Sequence, residues 1–485
     1  MVGPAKHLID AKIPVIKVAD FTNSPEILEG RVKTLHPKIH GGILAKRSNK
    51  KHQEEIELNE IELIDLVVVN LYPFKKKVED KCSWEEAIEN IDIGGPSMIR
   101  SAAKNHADVS VLVNPNQYKN YIEEIKKGPL HEEYKAKLAF EAFQHTADYD
   151  TAIANWMGKE KDLIPSKHIE SYPLIKALRY GENPHQKALW YGLSNIGWNS
   201  TEQLQGKELS YNNLLDLESA LSTVLEFGYE NKSNFENPLY ASVILKHNNP
   251  CGASISNSQS NSFKNALECD SVSAFGGIVA FNSNLGKETA MNLTDIFLEC
   301  IVAPSFDDEA LEILKAKKNL RVLKFPKSNL PQHNQTSSKS IMGGVLIQDY
   351  DNNEDKLVNW ISVTKNNPTE QEAIDLNFAW KICKHVKSNA IVIAKNQKTI
   401  GIGAGQMNRV GAAKIALEAA REECFGAVLA SDGFFPFSDT VELANEYGIS
   451  SIIQPGGSLR DEESIKMCDS KGISMIFTKQ RHFLH

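Results

Sequence analysis

Short apolar runs of strand length alternate with helical stretches along almost the whole chain, and that alternation leaves room for little besides a layered α/β fold. Residues 63–70 (LIDLVVVN), 110–113, 241–246 (ASVILK), 389–394 (NAIVIA) and 425–430 read as strands. The first of them is apolar enough to expect burial on both faces. Residues 131–157, with Tyr134, Leu138 and Phe143 expected on one side, and residues 412–423 read as helices. Polar residues 161–171, which include Pro165, read as a linker, and the polar stretch 326–340 as a divider within the remainder of the chain. In open α/β sheets ligands bind beyond the strand ends. The candidate residues lie there: residues 247–252 read as a turn after one strand, and residues 431–437 as a loop after another.

At about 150 residues per domain, 485 residues correspond to about three domains. Hydrophobic residues at 41% and charged residues at 24% exclude wholesale disorder. No apolar run approaches the ~18 residues of a membrane span, so no membrane partner is expected. The net charge of −8, from 54 basic and 62 acidic residues, argues against a general nucleic-acid binder but allows a local basic pocket. Seven cysteines form no CxxC pair, and the opening residues lack a secretory pattern; reduced thiols and a cytoplasmic location are expected.

Several stretches concentrate chemistry. RVKTLHPKIHGG at 31–42 gathers cations, a hydroxyl and glycines, suited to phosphate oxygens or to a solvated basic loop. His36 and His40 have the spacing of zinc-protease ligands, but no glutamate lies between them. IDIGGPSMIRSAAKN at 91–105 opens a helix, whose N-terminus favours anions. There Asp92 and Lys104 read either as a proton-transfer pair or as a helix cap and a surface lysine. Lys246 and His247 come directly after a strand, where an ammonium can steady developing negative charge and an imidazole can move a proton. Pro250-Cys251 lacks the second cysteine of a zinc deaminase. The glycines of 401–411 invite a dinucleotide-binding reading, but residues 389–394 and 399–403 read as a hairpin rather than strand–helix–strand. Phe434, Phe435 and Phe437 could stack on a flat heterocycle or fill the core.

In this order, the stretches RVKTLHPKIHGG at 31, NLYPF at 70, IDIGGPSMIRSAAKN at 91, LRYGENPHQ at 178, KHNNPCG at 246, DSVSAFGGIVAF at 270, GIGAGQMNRV at 401, SDGFFPFSDT at 431 and TKQRHFLH at 478 closely resemble one family across essentially the whole chain. It is the PurH family of bifunctional purine-biosynthesis enzymes, which joins AICAR transformylase to IMP cyclohydrolase. The resemblance implies a Rossmann-like, methylglyoxal-synthase-like α/β domain over residues 1–171. A transformylase region of two cytidine-deaminase-like α/β subdomains would occupy residues 172–485, divided near 326–340. It implies formyl transfer from the cosubstrate 10-formyltetrahydrofolate to AICAR, then closure of formyl-AICAR to IMP, with no metal or redox cofactor and as a homodimer.

By carry-over from the family, His247 accepts the amine proton while Lys246 and Asn389 steady the oxyanion. Arg179, Tyr180 and Arg481 hold the AICAR phosphate with His185 nearby, and Gln406 and Arg409 lie on a loop facing the nucleotide. Phe275, Phe434, Pro436 and Phe437 line the folate pocket, and Asp439 contacts the pterin-like ring. In the first domain Arg31, Lys33 and Thr34 resemble the nucleotide-binding loop, and Tyr72, Asp92 and Lys104 the residues around the closing ring. Family members begin with a strand, a turn, a helix and a Ser-Thr-Gly-Gly-Thr loop; here Gly3-Pro4-Ala5-Lys6 stands at the end of that loop. From this departure an impaired cyclohydrolase half is expected, so a transformylase-only enzyme is the alternative to the bifunctional one. An NAD-dependent oxidoreductase, resting on the Gly401 stretch, is a lesser one.

Overall fold

The computed structural model describes residues 4–193, 196–230, 239–331, 336–352 and 359–485. They form two compact units, Met1–Ser171 and Tyr172–His485. No helix among the described residues is long and apolar enough to cross a membrane.

The smaller unit is built on a parallel pair of three-residue strands, Leu66–Val68 and Ser110–Leu112. Helix Gly94–Lys104 turns Ile99, Ala102 and Ala103 onto this pair, and helix Glu132–Glu160 adds Ala139 and Ala142. Two expectations are corrected here. Successive strand side chains point to opposite faces, and only the face of Val67 is covered; Leu66 and Val68 stay 37% and 46% exposed, so the strand is not buried on both sides. On the long helix the buried stripe is Leu138, Ala142, Thr146 and Tyr149, with Tyr134 packed beside Leu138. Phe143 lies five residues from Leu138, some 140° around the helix, and is exposed under the guanidinium of Arg100.

The larger unit is organised by one twelve-stranded mixed sheet. In spatial order its strands are Ile361–Ser362, Ser474–Phe477, Ser451–Gln454, Val428–Ser431, Ile391–Lys395, Lys398–Gly403, Asn249–Ser256, Tyr240–Lys246, Gly277–Phe281, Leu298–Ala303, Arg321–Lys324 and Glu202–Gln205. The order contains a repeat. Each half begins with a long helix, Tyr211–Leu225 or Glu370–Cys383, continues into an antiparallel hairpin, and then alternates three helices with three mutually parallel strands. The two hairpins meet at the centre, where Lys398 pairs with Ser254.

Strand alternation divides the core. Val243, Leu245, Val392 and Ala394 face the two long helices and the buried Trp380, while Ile244, Ile391 and Ile393 face the six shorter helices on the other side. Gly252, Gly401 and Gly403 let helices lie against the hairpins, since an added Cβ would come within about 2 Å of the carbonyl oxygens of Ala266, Ala416 and Ala412. The glycines at 401 and 403 therefore serve close packing in a hairpin.

A third correction concerns residues 247–252. Only His247 and Asn248 form the turn, and Asn249–Ser256 is a strand. Pro250 is tolerated in it because the register shifts at Ile244/Leu245, where a missing N–H costs least.

Candidate active sites in the two units

The hairpin tip of the first half presents Lys246 and an exposed His247. Lys246 Nζ donates to Phe275 O at 2.8 Å, which draws the 58% exposed Phe275 ring to the same corner. The turn itself is held from below. Asp216, on helix Tyr211–Leu225, accepts the Asn248 N–H at 2.7 Å. Burial pushes the Asp216 carboxyl up, against the opposing pull of the Asn248 N–H and of His247. Asn249 Oδ1 accepts the Lys387 N–H at 3.1 Å, which brings the 387–389 segment of the second half beside the tip.

That segment carries Asn389. Its Oδ1 accepts from Arg409 Nη2 at 2.7 Å and its Nδ2 donates to Gln406 O at 2.8 Å, leaving one amide hydrogen uncommitted. Arg409 is 7% exposed; it pairs with the fully buried Asp432 and donates to Ser431 Oγ at 2.8 Å. Arg409 opens helix Arg409–Ala420 rather than lying on a loop, and its guanidinium is held by Asp432 and Asn389. Gln406 reaches the corner through its backbone, since its Nε2 turns back to Ala404 O.

The last residues close the same corner. His482 N donates to Asp432 O, Leu484 N to Ser388 Oγ, and Lys387 Nζ to His485 O. Arg481 is exposed over the Phe483 ring at 4.8 Å. Phe434, Pro436, Phe437 and Asp439 form the exposed lip after strand Val428–Ser431, while Phe435 is core. Arg179, its guanidinium 4.7 Å over the Tyr180 ring and bonded to the Tyr180 hydroxyl, lies with His185 on the loop after strand Leu174–Leu178. Among the described residues no hydrogen bond or ion pair joins this loop to Arg481.

In the smaller unit a cavity of about 680 Å³ is lined by Arg31, Lys33, Thr34, Tyr72 and Asp92 together with Gly94 and Gly95. It lies at the N-terminus of helix Gly94–Lys104, the end that attracts anions. Asp92 Oδ1 accepts the Gly95 N–H at 2.8 Å, and its own N–H is held by the Tyr149 hydroxyl at 2.9 Å. Thr34 Oγ1 lies where a Cβ on Gly94 would stand, so the loop and the helix start touch. Both loop cations are engaged with carboxylates, Arg31 with Glu89 and Lys33 with Glu26 at 3.1 Å. Lys104 does not line this cavity. It ends the 11-residue helix that Asp92 precedes, roughly 15 Å away at 1.5 Å per residue, and lines a separate shallow groove with Phe140 and Phe143. His36 caps helix Pro37–Leu44 and His40 bonds Ser101, so the pair shares no site.

A family model described as MGS-like domain matches residues 3–97, and one described as AICARFT/IMPCHase bienzyme matches residues 102–419. The chain belongs to the AICARFT/IMPCHase bienzyme family. The bifunctional purine biosynthesis protein PurH of Prochlorococcus marinus strain MIT 9515 is 80% identical over 483 residues, covering all of this chain and 93% of that protein. Those of strains MIT 9301 and MIT 9211 are 77% and 57% identical at the same coverage.

Among the residues of the larger unit's corner, sequence reasoning missed Asp216, Lys387 and Ser388, and took Asp432 only as part of a loop. Asp216 sits on a helix face 31 positions from His247, so no local spacing betrays it. Ser388 adjoins the quoted Asn389, and its hydroxyl donates to Asp432 Oδ2; only the fold reveals that pairing.

Proposed function

We infer that the chain performs both reactions of its family: formyl transfer from 10-formyltetrahydrofolate to AICAR in the larger unit, and dehydrative closure of formyl-AICAR to IMP in the smaller. The chain is a bifunctional transferase and hydrolase of purine biosynthesis. The observation that carries the residue assignment is the junction of the Lys246–His247 tip with the Asn389 segment through Lys387 and Asn249.

As the AICAR amine attacks the formyl carbon, His247 takes the amine proton. Lys246 Nζ, with donors to spare beyond Phe275 O, and the free Asn389 amide hydrogen steady the oxyanion. Collapse of the tetrahedral adduct expels the folate nitrogen, which takes up a proton. Phe275, Phe434, Pro436 and Phe437 receive the folate rings, with Asp439 at their polar edge. Arg179, Tyr180 and Arg481 take the AICAR phosphate with His185 beside it. A homodimer is expected, as the family resemblance implies. Seven free cysteines support a reducing, cytoplasmic setting.

In the smaller unit, Arg31, Lys33, Thr34 and the helix N-terminus receive the nucleotide phosphate, which displaces Glu89 and Glu26 from the two cations. The carboxamide nitrogen then attacks the formyl carbon and the oxygen leaves as water, with Tyr72 and Asp92 moving the protons. Asp92→Asn is expected to slow conversion of supplied formyl-AICAR to IMP by about 10²-fold or more without comparable loss of AICAR formylation. Equal loss of both rates, or of neither, would overturn the division of labour.

A further inference from the structure

The repeat in the larger unit extends to single hydrogen bonds. In each half the lysine that ends the first hairpin strand donates to a phenylalanine carbonyl, Lys246 to Phe275 at 2.8 Å and Lys395 to Phe425 at 2.7 Å. In each, both turn residues have positive φ: 54° and 59° at His247 and Asn248, and 53° at both Asn396 and Gln397. Such turns match the twist of the flanking strands, but neither turn contains the glycine that adopts them freely. And in each half the sixth residue of the long helix is an aspartate that takes the turn's N–H groups. Asp216 accepts from Asn248 at 2.7 Å, and Asp375 from Asn396 and Gln397 at 2.8 and 2.7 Å. Clamp, turn and lysine–carbonyl pair are one device used twice. Only the first copy carries an imidazole, His247 standing where the second has Asn396.

We propose that Asp216 is a positioning residue for formyl transfer, fixing the strained turn that carries His247 beside Lys246. The proposal rests on the reading of His247 as the proton acceptor. The second copy shows what the clamp does without chemistry: Asp375 secures a turn that holds no imidazole. Asp216 does the same work where a displacement of the backbone moves a reacting group, and a misplacement near 1 Å costs on the order of 10²-fold in rate. Asp216 makes no salt bridge among the described residues, so its carboxylate is committed to the turn.

The experiment measures AICAR formylation by the full chain, per folded molecule, in Asp216→Ala, Asp216→Asn and Asp375→Ala. Asp216→Ala is expected to lose about 10- to 100-fold in kcat. Asp216→Asn keeps an oxygen that accepts the Asn248 N–H and is expected to recover most of that loss. Asp375→Ala removes the equivalent clamp and is expected to lower thermal stability with kcat within about twofold. Similar per-molecule rates for Asp216→Ala and Asp375→Ala, or a fall in Asp216→Asn as deep as in Asp216→Ala, would overturn the positioning role. Because Asp216→Asn keeps the hydrogen bond, it stays informative if the alanine variant fails to fold. Absence of formylation by the unaltered protein would instead overturn the formyl-transfer reading beneath it.

Discussion

The two halves of the larger unit share a helix, a hairpin, a clamped turn and three parallel strands, yet they end in different chemistry. At the hairpin tip the first half has His247 and the second Asn396. At the start of the helix after each hairpin the relation reverses. The second half buries Arg409 against Asp432, while the first has Gln259, which bonds Ser283 and the carbonyl of Asn284. Each half thus contributes one specialised feature, an imidazole from the first and a charged brace from the second. The antiparallel meeting of the hairpins brings the tip of the first beside the base of the second. The proposed transformylase corner differs from the rest of a repeated scaffold by a few residues at equivalent positions, and each can be exchanged.

The sharpest test makes the first half resemble the second. His247→Asn is expected to reduce AICAR formylation by about 10²- to 10⁴-fold, with supplied formyl-AICAR still converted to IMP. Formylation within tenfold of the unaltered protein would remove His247 from the chemistry.

The reverse change makes the second half resemble the first. Arg409→Gln leaves Asp432 buried without its cation and is expected to cost about 3–5 kcal/mol of stability, measured by urea unfolding. Asp432→Asn alone strands Arg409 in the same way. The double variant leaves no unpaired charge and is expected to recover a large part of the loss. Additive losses would show that the pair is not the brace described.

A smaller effect tests what ties the halves together. Glu226, just past the first long helix, pairs with Lys384 at 2.9 Å and His385 at 3.1 Å, just past the second. Burial pushes its carboxyl up, but the hydrogen bond and charge of His385, with Lys384, outweigh this and hold it at about 2. The folded pKa lies below the unfolded one, so the stabilisation is complete above about pH 4.5 and is lost as pH falls towards 2. It amounts to roughly 3 kcal/mol. Acid unfolding of Glu226→Gln is expected to be less steep over that window, and parallel acid profiles would contradict the assignment.

What the sequence disclosed depended on locality. The hairpin of Ile391–Lys395 and Lys398–Gly403 was legible because two apolar runs are separated by a few turn residues, and that reading reduced the dinucleotide-binding reading to a lesser alternative. Strand Asn249–Ser256 was not, because Asn-Asn-Pro-Cys-Gly has turn composition and only a register shift makes room for Pro250. Arg31, Lys33, Thr34, Tyr72 and Asp92 do line one cavity, though no periodicity connects residue 31 with residue 92. Lys104 shows the opposite case, a residue near Asp92 in sequence that a helix carries away from it. The internal repeat is not legible in the residues because it lives in backbone geometry and in aspartates placed alike on helices of different sequence.

The most direct measurement supplies the purified protein with AICAR and 10-formyltetrahydrofolate and identifies the nucleotide product by mass. IMP is the predicted product, formed by the two units in succession. Formyl-AICAR accumulating without IMP would contradict the bifunctional account and leave a transformylase alone.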